Sequence, residues 1–247
     1  ERVRRSKMNL ITISGPPSSG KTSLIIKTIE SFKQRGIRVG VVKFDCLYTD
    51  DDKLYEKIGV PVRKGLSGSL CPDHYFVSNI EEVVKWGVEE KLDILITESA
   101  GLCNRCSPYI KDIKAVCVID NLSGVNTPKK IGPMLKSADI VVITKGDIVS
   151  QAEREVFASR VMSVNPKATI MHVNGLNGQG AYEFGTLIYD EDEKLESLKG
   201  KSLRFSMPSA LCSYCLGETR IGEEHQMGNV RKIDLSSSCK GGSCCGK

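Results

Sequence analysis

One octapeptide limits this chain more than any other feature. Gly15-Pro16-Pro17-Ser18-Ser19-Gly20-Lys21-Thr22 fits the pattern G-x-x-x-x-G-K-[ST]. It follows the apolar run 10–14 and opens the helical pattern 22–34, the strand–loop–helix setting that the pattern requires. Glycines let such a loop curl until several backbone N–H groups converge on phosphate oxygens, and the helix N-terminus adds its dipole. In that geometry Gly15, Ser18, Ser19, Gly20 and Ser23 surround a polyphosphate. Lys21 sets a point charge on the β- and γ-phosphates, and the Thr22 hydroxyl ligates Mg²⁺.

The remaining pattern alternates strand and helix. Residues 38–44, 60–63, 92–97, 115–119, 140–143 and 169–173 read as further strands. Residues 51–58, 79–90, 130–137, 151–164 and 181–189 read as helices. The strands are continuously apolar, which marks burial on both faces. The expected fold class is therefore α/β, a mostly parallel P-loop NTPase sheet with helices on both faces. Composition changes after Asp190. We read 8–190 as the nucleotide domain, the charged stretch 191–203 as a linker, and 204–247 as a small Cys-rich metal or iron–sulfur module.

The net charge is +5, and Arg2, Arg4, Arg5 and Lys7 supply much of it ahead of Met8. So small an excess gives no nucleic-acid footprint. No run approaches the roughly 18 apolar residues of a membrane span, and 8–13 is too short for a signal peptide. The expected location is cytoplasmic. Ten cysteines in a reducing compartment point to metal or cluster chemistry rather than to disulfides.

Thr144-Lys145-Gly146-Asp147 ends a predicted strand and resembles the [NT]-K-x-D guanine motif of GTPases. An aspartate there accepts from guanine N1–H and the N2 amine, a donor pair that adenine lacks. Asn174 begins the loop NGLNGQG after the next strand, which resembles the loop that closes over the base.

Three further segments carry a family resemblance. Asp45-Cys46-Leu47-Tyr48-Thr49-Asp50 is similar to the D-[IL]-Y-T stretch of the urease-accessory GTPases. Glu98-Ser99-Ala100-Gly101 resembles the E-[ST]-x-G element of the CobW/HypB/UreG metallochaperone GTPases. Gly68-Ser69-Leu70-Cys71-Pro72-Asp73-His74 resembles the Cys-Pro-His metal motif of the urease-accessory branch, with Asp73 inserted. By this resemblance Asp45 orients the attacking water or supports Mg²⁺, Glu98 stands near the magnesium shell, and the Gly101 N–H senses the γ-phosphate. It also implies a GTP-dependent homodimer and a client metalloenzyme or other maturation protein as partner.

Cys71, His74, Cys103 and Cys106 mix thiolates with an imidazole, a set suited to Zn²⁺, Ni²⁺ or Co²⁺. Without the resemblance, Cys71 reads as a small buried apolar residue and His74 as a satisfied surface residue. Cys46 and Cys117 lie in or beside predicted strands and read as core. Cys212-x-x-Cys215 with Cys239, Cys244 and Cys245 can complete a four-sulfur zinc site or anchor an iron–sulfur cluster, with His225 as an alternative ligand.

The expected function is a GTP-hydrolysing metallochaperone or metalloenzyme-maturation factor that couples nucleotide state to metal binding. Turnover is expected to be slow, because the phosphate loop carries no arginine. The alternatives are a nucleotide-dependent iron–sulfur carrier or electron-transfer accessory protein, and a small-molecule kinase.

Overall fold

The computed structural model describes residues 7–101, 106–206, 218–227 and 230–236. Its chain order is β1 (Asn9–Ser14), α1 (Lys21–Gln34), β2 (Val39–Asp45), α2 (Asp51–Lys57), β3 (Val62–Leu66) and α3 (Pro72–Glu89). It continues through β4 (Ile94–Ser99), β5 (Lys114–Asp120), α4 (Thr127–Lys130), α5 (Pro133–Lys136) and β6 (Ile140–Thr144). It closes with α6 (Gln151–Val164), β7 (Thr169–His172) and α7 (Ala181–Ile188). The seven strands form one sheet in the order β3-β2-β4-β1-β5-β6-β7, and every pairing is parallel.

Alternate residues of each strand feed opposite layers, as the period of two demands. Ile11 and Ile13 of β1 pack with Leu24, Ile25, Ile29 and Phe32 of α1 and with Phe184 and Ile188 of α7. Leu10 faces the other way, into a layer formed by Phe76, Ile80, Val83 and Val84 of α3 with Phe44 and Leu95. Met134, Leu135, Phe157 and Val161 cover the β5–β6 half of the sheet. All of β1 and β4 is buried. The two central strands therefore meet the loops at one carboxyl edge, where open α/β sheets bind ligands.

Three local expectations change. Helix α3 begins at Pro72, not near residue 79. Its first turns bury the polar residues Asp73, His74, Ser78 and Asn79 among the apolar Phe76 and Val77, which continue the period of Ile80, Val83 and Val84 back toward Pro72. In place of one helix over 130–137 there are two single-turn helices, Thr127–Lys130 and Pro133–Lys136, because Gly132 takes a left-handed φ of 69° and Pro133 restarts the chain. Cys46 is half-buried in the loop after β2 and donates to Gly68 O at 3.3 Å, so only Cys117 is a core cysteine of that pair.

The charged stretch after Asp190, expected as a linker, lies against the sheet. Leu195 bridges Met8, and Leu203 bridges Ile110, both antiparallel. Leu198, Leu203, Ile221 and Ile233 are buried in the α3 layer. Arg204 locks this return. Its guanidinium donates to the carbonyls of Ile110, Ile113 and Ser137 and to both oxygens of Asp139 at 2.6–3.0 Å. Further on, the Ile233 N–H donates to Asn79 Oδ1 at 2.8 Å, and Arg63 Nε donates to Leu235 O at 2.9 Å. The Ile233 side chain lies against Gly65 of β3, so that segment packs on the α3 face of the sheet. Cys103, Cys212, Cys215, Cys239, Cys244 and Cys245 lie outside the described residues.

Candidate nucleotide site and metal centre

The loop after β1 is held by backbone proximity. A Cβ at Gly15 would collide with Val118 O, so β5 approaches the loop directly. Lys21 opens α1, and its Nζ donates to Gly15 O at 3.0 Å and Pro16 O at 2.8 Å. Burial pushes the Lys21 ammonium down to about 8, with Glu98 partly offsetting that cost.

A cavity of about 460 Å³ opens beside this loop. Lys21, Thr22, Lys43, Asp45, Asp51 and Glu98 line it. Thr22 Oγ1 lies 2.8 Å from Glu98 Oε1 and 3.1 Å from Asp51 Oδ2. Glu98 is fully buried and receives Tyr55 OH at 2.6 Å on its second oxygen. Asp45 lines the same cavity and accepts from the Cys46 N–H at 2.8 Å. One hydroxyl beside three carboxylates is a hard-oxygen donor set and fits Mg²⁺.

Lys43 was not among the expected site residues. It sits on β2 beside Glu98 in register, 4% exposed, with Nζ 2.6 Å from Glu98 and 2.7 Å from Asp51. Burial alone would lower its pKa; the Glu98 and Asp51 carboxylates more than reverse this and raise it. The available signal was a charged residue inside the apolar run Val39–Asp45.

The expected base-reading residues gather next to the phosphate loop. Thr144 Oγ1 donates to Ser19 O at 2.7 Å, and Lys145 Nζ donates to Ser18 O at 2.7 Å. These bonds tie the end of β6 to the loop after β1. Asp147 sits in a 3-10 turn and lines a cavity of about 140 Å³ with Arg154, His172, Asn174 and Gln179. The Asn174 side-chain oxygen accepts from the Leu176 and Asn177 N–H groups. Asn174 therefore shapes the loop around that cavity, and its amide NH₂ is what it can present there.

Gly101, two residues past the end of β4, takes a left-handed conformation, φ 57°. A Cβ at this position would collide with Gly15 O. Its backbone is therefore packed onto the phosphate loop.

On the α3 side, the structure brings Cys71, His74 and Cys106 together. One donor atom from each lies within 4.8 Å of the others. Cys71 is the N-cap of α3, Pro72 is N1, and His74 follows in the first turn. His74 is 3% exposed, and neither ring nitrogen has a hydrogen-bond partner among the described residues. A buried, unpartnered imidazole is costly unless something ligates it. Two sulfurs and that imidazole fit a borderline-soft divalent ion. The Cys106 thiol, with the adjacent His74 side chain and the helix-start N–H groups of His74 and Asp73, holds the Cys71 thiol down at about 4 against the cost of burial. Cys117 shows the opposite behaviour: burial pushes it up to about 12. Among the described residues, no helix is long and apolar enough to cross a membrane.

These geometries agree with comparisons to known proteins. An uncharacterized protein of Methanocaldococcus jannaschii is 51% identical over 227 residues, 92% of this chain and 97% of the relative. The urease accessory protein UreG of Yersinia enterocolitica is 30% identical over 200 residues, 75% of this chain and 90% of the relative. The hydrogenase maturation factor HypB of Archaeoglobus fulgidus has the same fold, with a TM-score of 0.58 at 21% identity over 73% of this chain and 88% of that one. HypB from Helicobacter pylori, solved in complex with nickel, gives 0.59 at 20% identity, over 73% and 85%. The family model described as CobW/HypB/UreG, nucleotide-binding domain, matches residues 9–172. With its phosphate loop, buried Glu98 and Cys–His cluster on one sheet edge, this chain belongs to the CobW/HypB/UreG family.

Proposed function

We propose that this protein is a GTP-binding and GTP-hydrolysing metallochaperone that links nucleotide state to the holding and release of a Zn²⁺, Ni²⁺ or Co²⁺ ion. The observation that carries this reading is the Cys71–His74–Cys106 cluster with its unpartnered imidazole. It stands at the start of a helix packed on the same sheet that carries the phosphate loop. The metal is cargo, delivered to a client metalloenzyme or another maturation protein in the cytoplasm.

In the nucleotide site Lys21 clamps the β- and γ-phosphates, and Gly15 and Ser18–Ser23 present backbone N–H groups. Thr22, with the Asp45, Asp51 and Glu98 carboxylates around it, would hold Mg²⁺, which supplies charge neutralisation for phosphoryl transfer. Asp45 orients water, and the Gly101 N–H meets the γ-phosphate. Thr144, Lys145 and Asp147 read guanine, with the Asn174 loop closing the pocket. The described loop has no arginine to neutralise the transition state, which supports slow intrinsic turnover. A GTP-dependent homodimer belongs to this reading. So does a second metal station made by Cys212, Cys215, Cys239, Cys244 and Cys245.

The imidazole favours a single ion over an iron–sulfur cluster as the occupant of the Cys71 centre. Titration of Zn²⁺, Ni²⁺ and Co²⁺ into the full chain tests this, with competing chelator and elemental analysis. One equivalent is expected to disappear in each of Cys71→Ala, His74→Ala and Cys106→Ala. Metal affinity is expected to differ between GDP and a non-hydrolysable GTP analogue by about 5–150-fold, the usual span of a coupling free energy. Unchanged stoichiometry in all three variants defeats the reading, and a broad absorbance near ~400 nm after anaerobic purification replaces it with the cluster reading. Truncation after Tyr189 is unsuitable for the second station, because it removes the core residues Leu198, Leu203, Ile221 and Ile233. Cys212→Ala with Cys215→Ala in the intact chain serves instead.

A further inference from the structure

The Asp73 backbone N–H supports the Cys71 thiol, but its carboxylate has no assigned part in either site, and the residue stands between them. It separates the metal donors Cys71 and His74 in the first turn of α3. Its Oδ1 accepts from Ser99 Oγ at 2.9 Å. Ser99 is the last residue of β4, next to Glu98 and two residues before Gly101. Asp73 and Ser99 are each 1% exposed. The second carboxylate oxygen is buried with no hydrogen-bond partner among the described residues. The Ser99 bond is therefore the carboxylate's hydrogen-bonded tie out of its own turn.

The surroundings make this tie stiff. A buried hydrogen bond works in a low dielectric, where it is stronger than in water and costly to break. The end of β4 is fixed to β2 by the Ala100 N–H donating to Phe44 O at 3.1 Å. Phe44 in turn packs edge-on against Tyr75 and Phe76 of α3, with ring centroids 6.0 Å and 5.0 Å away. The start of α3 and the end of β4 therefore cannot shift past each other without disturbing both contacts. Gly101, two residues further on, is packed on Gly15 of the phosphate loop.

We propose that the Asp73–Ser99 hydrogen bond is the mechanical link by which the γ-phosphate-facing end of β4 sets the positions of Cys71 and His74. Asp73 is a positioning residue. It ligates nothing, and it transmits displacement of β4 to the two donors that flank it. This rests on the proposed function, in that both nucleotide and metal must bind.

The test measures the Zn²⁺ affinity of the full chain with GDP and with a non-hydrolysable GTP analogue, and takes the ratio. Asp73→Ala and Ser99→Ala remove the bond from opposite sides; Asp73→Asn keeps an acceptor oxygen. The wild-type ratio is expected to fall to within about twofold of one in both alanine variants, to survive in Asp73→Asn, and to fall no further in the double variant. Such convergence is what a shared contact produces. A wild-type ratio well away from one that persists in both alanine variants overturns the link and leaves the metallochaperone reading standing. A wild-type ratio of one overturns that reading and the link with it. Loss of zinc in Asp73→Ala while Ser99→Ala keeps its ratio makes Asp73 a metal-shell residue and also overturns the link. Failure of Asp73→Asn to preserve the ratio does the same.

Discussion

Lys21→Ala lowers GTP hydrolysis by about 100-fold or more, the scale at which one preorganised donor to developing charge acts. The physical reason is local. Lys21 is 5% exposed and already turned into the phosphate loop, its Nζ on the Gly15 and Pro16 carbonyls. An alanine leaves those carbonyls facing the phosphates with no cation between. Phosphate release from the purified protein checks this, with the thermal unfolding midpoint as the control for folding. Hydrolysis within a few-fold of wild type would sink the assignment. The same side chain gives a pH dependence. Burial lowers its pKa to about 8, with Glu98 and Asp45 favouring the charged form and Lys43 opposing it. Phosphates favour the ammonium and raise the pKa in the complex. Binding above about pH 8 therefore takes up a proton, and affinity falls as pH rises through that value. Calorimetry in buffers of different ionisation enthalpy reads the proton directly.

Asp147→Asn weakens GTP binding by about 30–1,000-fold, equivalent to about 2–4 kcal/mol for a lost paired contact on the base. The variant is expected to prefer xanthine nucleotides, whose edge offers an acceptor where guanine has its amine. The geometry behind this is the pairing of Asp147 with the small cavity that also takes in Asn174. It lies beside a loop tied to the phosphate site through Thr144 and Lys145. Isothermal titration with GTP, ATP and XTP decides the matter. Equal affinity of the unaltered protein for ATP and GTP removes Asp147 from the base site.

The parts of this architecture that the sequence determined are local in the chain. Gly15–Thr22 is one continuous strand–loop–helix unit, so its eight residues carry their own context. The helix Gln151–Val164 begins with a complete capping box between Ser150 and Glu153, and its expected bounds match. The five inner strands are legible because parallel strands buried on both faces are largely apolar; β3 and β7, at the two edges, are only partly buried. Cys71, Pro72 and His74 stand in one turn, so a motif could suggest them together.

Other features exist only through tertiary contacts. Lys43 reads as an exception in an apolar strand until the register of β2 on β4 sets it beside Glu98, 55 residues away. Cys106 is far from Cys71 and His74 in the chain, and only the fold brings the three donors within 4.8 Å of one another. Asp73 finds Ser99 in the same way, across 26 residues. Leu195, Leu198, Leu203, Ile221 and Ile233 are too widely spaced to show a period, so the sequence reads as linker and tail where the fold buries four of them and partly buries Leu195. The division has one cause. A short-range pattern reports backbone geometry, which repeats every two or 3.6 residues, whereas a buried charge or a metal donor is stabilised by partners that only the strand order brings within reach.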